Sequence, residues 1–248
     1  MLFQSPPPTR FDLRFSIAGI PIRVHPLFWL IALLLGSSGS LIGIPIWIFV
    51  VFVSILIHEL GHALAFRRYG IDSEIVLHFM GGLTIPLSAP WGTGWANVAP
   101  SPRQHIVISL AGPFAGFFLA ALVVAGVILL GGTIAVNLLF GFIPIPQLVS
   151  LSIGGTVLQL FVVMMLWVNI FWGLINLLPV YPLDGGHVAR NILIQYDPLN
   201  GARRSLWVSV ITGVVVALGA FIFLESFYMA FLFGILAFQS YQALQARY

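Results

Sequence analysis

Two histidines and a glutamate lie close together in an otherwise apolar stretch, SILIHELGHALAF, at residues 54–66. His58 and His62 are four residues apart, so a helix would place both imidazoles on one face, one turn apart. Glu59 follows the first histidine directly. This H-E-x-x-H pattern is typical of helices that bind zinc through two imidazoles, with the glutamate handling a water proton. In so apolar a segment, these polar groups would be costly unless they were paired or functional.

A catalytic zinc ion commonly has three protein ligands, so the two histidines need a third partner. Cysteine is absent, so any metal ligand must be a histidine, an aspartate or a glutamate, and the acidic candidates are few. Asp184 lies in NLLPVYPLDGGH, where two prolines should end a helix and two glycines favour a tight turn. We therefore predict Asp184 as the third ligand. The other acidic residues, which lie in loops, in the leader or on the far side, are Asp12, Asp72, Glu74, Asp197 and Glu225.

The composition indicates that these residues are positioned by a membrane-embedded structure. Hydrophobic residues make up 60% of the 248 positions and charged residues only 7%, whereas ordinary soluble domains have about 25% charged residues. So few charges cannot cover a water-exposed surface. We predict an all-α polytopic membrane protein in which residues 1–248 form a single membrane-embedded domain.

Apolar runs of about 20 residues predict six transmembrane helices. With six crossings, all ten arginines fall on one side of the membrane, which the positive-inside rule makes cytoplasmic. Asp184 is then on the same side as His58 and His62, and the two termini and the opening of the site face the cytoplasm. The predicted spans are Val24–Gly36, Gly43–Phe66, Ile106–Leu130, Thr156–Leu178, Leu206–Leu224 and Phe227–Ala246.

Three segments are predicted not to cross the membrane. Residues 1–23 form a cytoplasmic leader, and residues 70–100 form a hairpin or loop region with a small membrane-associated β-hairpin after the second helix. Residues 131–155 contain TIAVNLLFGFIPIPQLV (133–149), whose prolines and glycines favour a re-entrant or interfacial segment. A seventh crossing there would move Arg190, Arg203 and Arg204 to the other side. A cleaved signal peptide within VHPLFWLIALLLGSSGS is an alternative interpretation of the first span.

Two motifs together resemble those of a known family. HELGH (58–62) and the pattern N-x-x-P-x-x-x-L-D-G, which begins at Asn176, resemble the motifs of the site-2 protease family of intramembrane zinc metalloproteases. HPLF (25–28), FMGGL (79–83) and LAGPFAG (110–116) extend the likeness over nearly the whole chain. Relative to that family, no PDZ-like insertion or regulatory domain is expected. Within the third of these stretches, GPFAG is interpreted as a helix-packing face.

The resemblance implies a membrane-embedded peptidase that cleaves peptide bonds in or near transmembrane segments of membrane proteins. His58, His62 and Asp184 would hold one Zn²⁺ per chain, and Glu59 would act as the general base. The predicted partners are a transmembrane protein substrate and the lipid bilayer, with no nucleic acid. The substrate and the oligomeric state are not predicted.

Two regions are predicted to bind the substrate. The resemblance gives Asn176 a role in binding the substrate or an oxyanion, while Asn169 on the same helix face could simply link helices. A strand formed by FMGGL could pair with an extended substrate, because Gly81 and Gly82 would allow close approach. The alternative for FMGGL is a turn in a membrane-dipping hairpin.

Two other functions could use the same zinc-binding pattern. A different membrane zinc peptidase would take a glutamate as third ligand, but only Glu74 and Glu225 are available and neither is well placed. A zinc transporter or channel would distribute polar residues across the membrane, whereas here they cluster on one side.

Overall fold

The computed structural model describes residues 6–36, 42–87, 100–139, 141 and 143–246. The described residues of 1–95 and 111–173 form one compact unit, and those of 96–110 and 174–248 form another. The helices are α1 (Pro26–Leu35), α2 (Gly43–Arg68), α3 (Pro102–Leu129), α4 (Gly155–Asn176), α5 (Asp184–Tyr196), α6 (Gly201–Phe223) and α7 (Phe227–Gln245). The strands are β1 (Leu13–Ile17), β2 (Ile20–Val24), β3 (Ser73–His78), β4 (Gly81–Pro86), β5 (Thr133–Leu139) and β6 (Ile143–Ser150).

Five of the described helices, α2, α3, α4, α6 and α7, are long and apolar enough to cross a membrane. The protein is therefore mostly helical and has the spans of an integral multi-pass membrane protein. The predicted first span, Val24–Gly36, is longer than the helix in the structure. Val24 belongs to β2, and α1 has only ten residues. Residues 37–41, which follow this span, lie outside the described part of the chain.

A four-stranded sheet in the order β1-β2-β3-β4 packs against the helices of the first unit. Its central pair, β2 and β3, is parallel, and the two outer pairs are antiparallel. Ile20, Ile22 and Val24 alternate into the core, where they contact Phe28 of α1 and Ile55 of α2. The expectation of an all-α fold with one small hairpin is thus too simple, because the leader supplies two further strands.

The segment TIAVNLLFGFIPIPQLV forms an antiparallel pair, β5 and β6, and not a helix. In this pair Leu138 lies opposite Pro144, and Val136 lies opposite Pro146. Proline has no N–H to donate, so these two positions belong at the outer edge of β6. Residues 140 and 142 lie outside the described part of the chain.

The end of α2 marks the point where the chain passes from helix to sheet. Arg67 and Arg68 occupy the last turn of the helix, where positive charge is favoured by the helix dipole. Gly70 then adopts a positive φ of 73°, which glycine tolerates and which ends the helix before β3 begins. The sheet is therefore joined to the helix that carries the HELGH motif by a short turn.

Candidate metal centre

Helix α2 presents both histidines and the glutamate of the HELGH motif inside the first unit. His58 and Glu59 are each 5% exposed and His62 is 7% exposed. The Nε2 atoms of His58 and His62 lie 3.2 Å apart. Two nitrogen ligands of one tetrahedral zinc ion are separated by about 3.3 Å when each zinc–nitrogen bond is about 2.05 Å. The two imidazoles are therefore spaced as ligands of one zinc-sized ion.

Gly112 of α3 leaves open the space beside these two nitrogen atoms. A Cβ at this position would collide with Nε2 of His62 and lie 2.8 Å from Nε2 of His58. The two helices approach closely because Gly61 of α2 also lacks a side chain, and a Cβ there would collide with the carbonyl oxygen of Ala111. The donor chemistry and the small open space both fit a zinc ion. The two histidines and the space beside Gly112 are therefore consistent with a bound zinc ion.

Strand β4 lies against the side chain of Glu59. The hydroxyl of Thr84 is 2.6 Å from Oε2 of Glu59 and 3.1 Å from its backbone oxygen. A Cβ at Gly82 would collide with Cγ and Oε1 of the same glutamate. The sequence did not suggest either of these contacts of β4 with Glu59. The signal that could have revealed them is spacing, since Thr84 and Gly82 share one face of a strand.

A buried polar link joins α2 to α4 one turn before the histidines. Asn169 donates from Nδ2 to Oγ of Ser54 at 2.9 Å and to the backbone oxygen of Met165 at 2.8 Å. Ser54 and Asn169 are each 2% exposed. Such a hydrogen bond in an apolar interior holds the register of two helices.

In the second unit, the DGG motif begins helix α5, whose first residue is Asp184. A Cβ at Gly185 would collide with the backbone oxygen of Leu177, and one at Gly186 would lie 2.6 Å from the carbonyl carbon of Val180. Neither glycine has a positive φ. The expectation that they form a tight turn is therefore wrong, because they are needed for close backbone packing at the start of a helix.

The carboxylate predicted as third ligand occupies a favourable position in this unit. Asp184 is in the first turn of α5, where the helix dipole stabilises a negative charge. Its carboxylate, like the imidazoles of His58 and His62 in the first unit, is a group that binds zinc. Asn176 is the last residue of α4 and is 9% exposed. The structure places Gly81 and Gly82 at the start of β4.

Residues 46–218 match the model of peptidase family M50. The zinc metalloprotease MJ0392 of Methanocaldococcus jannaschii is 30% identical over 183 residues, which are 72% of this chain and 44% of that protein. The putative zinc metalloprotease Rip3 of Mycobacterium tuberculosis is 27% identical over 197 residues, 71% of this chain and 42% of that protein. The chain thus spans less than half the length of these two relatives.

A solved structure has the same fold. The site-2 protease from Methanocaldococcus jannaschii aligns with a TM-score of 0.54 and 24% identity, over 94% of this chain and 95% of that one. The resemblance to site-2 proteases is confirmed by these comparisons, and the relatives give no support to a zinc transporter or channel.

Proposed function

Because the chain belongs to peptidase family M50, we propose that it is an intramembrane zinc metalloprotease that hydrolyses peptide bonds in or near transmembrane segments of membrane proteins. The observation that carries this proposal is the buried pair of imidazole nitrogens, 3.2 Å apart, on the helix that also carries Glu59. A carboxylate next to two zinc-binding imidazoles is the arrangement that metal-assisted hydrolysis requires.

We assign one zinc ion per chain to His58, His62 and Asp184. Zinc bound there would polarise the scissile carbonyl and acidify a water molecule. The Glu59 carboxylate takes a proton from the attacking water and passes it to the nitrogen of the leaving amine as the C–N bond breaks. Burial of the site keeps bulk water away from these groups and strengthens their electrostatic interactions.

The substrate is proposed to bind as an extended strand on β4. A transmembrane helix hides its carbonyl groups in its own hydrogen bonds, so the cleaved segment has to unwind first. β4 is the last strand in its sheet among the described residues, and its outer backbone edge can pair with such a segment. Gly81 and Gly82 allow close approach, and the Asn176 amide donates to the substrate or to the oxyanion.

The arrangement in the membrane is proposed from the charges. We propose six crossings, of which α1 begins the first, with the arginine-rich side, both termini and the opening of the site facing the cytoplasm. Residues 1–23 then form a cytoplasmic leader, and the β3–β4 hairpin lies at the membrane. Residues 131–155, which contain β5 and β6, lie at the interface opposite the arginines. Residues 1–248 function as a single metalloprotease domain.

The proposed function is tested by replacing the general base without disturbing the metal ligands. In Glu59→Gln we expect zinc content to be unchanged and cleavage of membrane substrates to fall by about 100- to 10,000-fold, the range for loss of a general acid–base group. The matched control is Glu74→Gln, the same change on β3 outside the site. Cleavage products are identified by comparing membrane peptides from cells with wild-type or Glu59→Gln protein. Unimpaired cleavage by Glu59→Gln would rule out this mechanism.

A further inference from the structure

The hydroxyl of Thr84 makes the short polar contact between β4 and Glu59. It lies 2.6 Å from Oε2 and 3.1 Å from the backbone oxygen of that glutamate. A threonine hydroxyl has one proton to donate, so the shorter distance identifies Oε2 as its acceptor. The 2.6 Å distance lies within the usual range for an O–H···O hydrogen bond. Thr84 therefore donates to the carboxylate of Glu59.

The same strand confines the other side of the carboxylate. Gly82 precedes Thr84 by two residues, so both positions lie on one face of β4. The space that a Cβ would fill at Gly82 is occupied by Cγ and Oε1 of Glu59. Threonine is branched at Cβ and has few side-chain conformations, so its hydroxyl is held in place by the strand. The glutamate is thus held at Oε2 by a hydrogen bond and bounded at Oε1 by backbone.

We propose that Thr84 is a positioning residue for peptide hydrolysis. By holding Oε2, it fixes the orientation of the Glu59 carboxylate, which takes the proton of the attacking water. The proposal rests on the proposed proteolytic function, and it gives β4 a second task. The strand that would pair with an extended substrate also orients the general base. The same element therefore sets the positions of the substrate and of Glu59 relative to each other.

The test separates the hydroxyl from the shape of the side chain. Thr84→Val removes the hydroxyl and keeps the branched shape, whereas Thr84→Ser keeps the hydroxyl and loses a methyl group. We expect Thr84→Val to lower kcat by about 10- to 100-fold, the usual loss when a supporting hydrogen bond is removed, with KM, zinc content and Tm unchanged. Thr84→Ser should restore kcat. The matched control is Thr133→Val on β5, where the hydroxyl contacts Ser150.

A spectroscopic measurement reports the hydrogen bond independently of activity. The chain has three glutamates, Glu59, Glu74 and Glu225, so protein labelled with carbon-13 at the glutamate carboxyl gives a simple infrared spectrum. The band of Glu59 is identified by its loss in Glu59→Gln. We expect this band to shift in Thr84→Val and to return towards the wild-type position in Thr84→Ser.

The outcomes that overturn the proposal are distinct. A wild-type kcat in Thr84→Val, or an equal defect in Thr84→Ser, shows that the hydroxyl does not position the base. A loss of zinc or a fall in Tm that accounts for the lost activity assigns Thr84 a purely structural role. If the proposed proteolytic function is wrong, the result is different. The wild-type protein then cleaves no membrane substrate, while the infrared shift in Thr84→Val persists. That result overturns the role of Thr84 in hydrolysis together with the function itself.

Discussion

Replacing Gly112 with alanine tests the space beside the two histidine nitrogens. The added Cβ would lie 2.8 Å from Nε2 of His58 and closer still to Nε2 of His62. A relaxed contact needs about 3.5 Å, so the His58 nitrogen would have to move by about 0.7 Å. A zinc site tolerates errors of about 0.2 Å in its ligand distances. We therefore expect the zinc affinity of Gly112→Ala to fall by about 100-fold or more, beyond the 10- to 100-fold range for disturbed supporting residues.

The stability of the fold should respond differently from the affinity for zinc. The obstructing atoms are the far ends of two side chains, which can rotate away, and alanine favours a helix over glycine by about 1 kcal/mol. Tm of the metal-free protein should therefore stay the same or rise slightly. Zinc affinity is measured by competition with a chelator in detergent micelles, and unfolding is followed by circular dichroism.

A matched control lies one turn further along α3. A Cβ at Gly116 would be 3.5 Å from the backbone oxygen of Asn169 and 3.6 Å from its Oδ1, which are ordinary contacts. Gly116→Ala should bind zinc like the wild type. If Gly112→Ala binds zinc as tightly as Gly116→Ala, the space beside the imidazoles is not where the metal lies and the reasoning is refuted.

Two further predictions concern carboxylates. Asp184→Asn should lower zinc affinity, measured by chelator competition, because an amide is a poor zinc ligand. Asp197→Asn in the same unit is the control and should leave zinc affinity unchanged. Equal zinc affinities of the two variants would contradict the assignment of Asp184. In the leader, burial raises the pKa of Asp12, but hydrogen bonds from Thr9 and the charge of Arg23 outweigh it and lower the pKa from 3.8 to about 2. The stability that this group contributes should be complete above pH 3.8 and be lost as the pH falls through about 2, and Arg23→Gln should raise the pKa of Asp12. A titration of carbon-13-labelled aspartate by nuclear magnetic resonance measures this change, and an unchanged pKa would exclude a contribution from Arg23.

The sequence predicted the parts of the site that depend on local spacing. His58 and His62 are separated by about one helical turn, so helix geometry alone places the two imidazoles on the same face. The spans α2, α3, α4, α6 and α7 follow from runs of apolar residues that no soluble surface could accommodate.

The features that the sequence did not predict depend on distances between elements. GPFAG was interpreted as a packing face, yet the structure also places Gly112 beside the histidine nitrogens, because the approach of α3 to α2 is set by Gly61 and Ala111. The contact between Thr84 and Glu59 arises from the sheet that follows α2, and not from any motif.

The strands of the leader were missed for a different reason. Ile20, Ile22 and Val24 alternate as expected for a half-buried strand, but the strand has only five residues and runs directly into the apolar segment of α1. Helix α5 was also not predicted, because the turn expected at Gly185 and Gly186 left no room for a helix that begins at Asp184.

The two prolines of β6 limit the backbone pairing that is available at the edge of this strand. A protein that binds an extended peptide along one strand could also bind it along the edges of its other strands. Such binding would be unproductive, because the peptide would not be cleaved there. At Pro144 and Pro146 the outer edge of β6 has no N–H groups. An extended peptide therefore cannot form a continuous series of backbone hydrogen bonds along this edge. On β4, alternate residues direct their N–H groups away from β3, and Gly82 and Thr84 provide such donors before Pro86. If the substrate binds on β4 as proposed, the prolines of β6 would reduce unproductive pairing at β6.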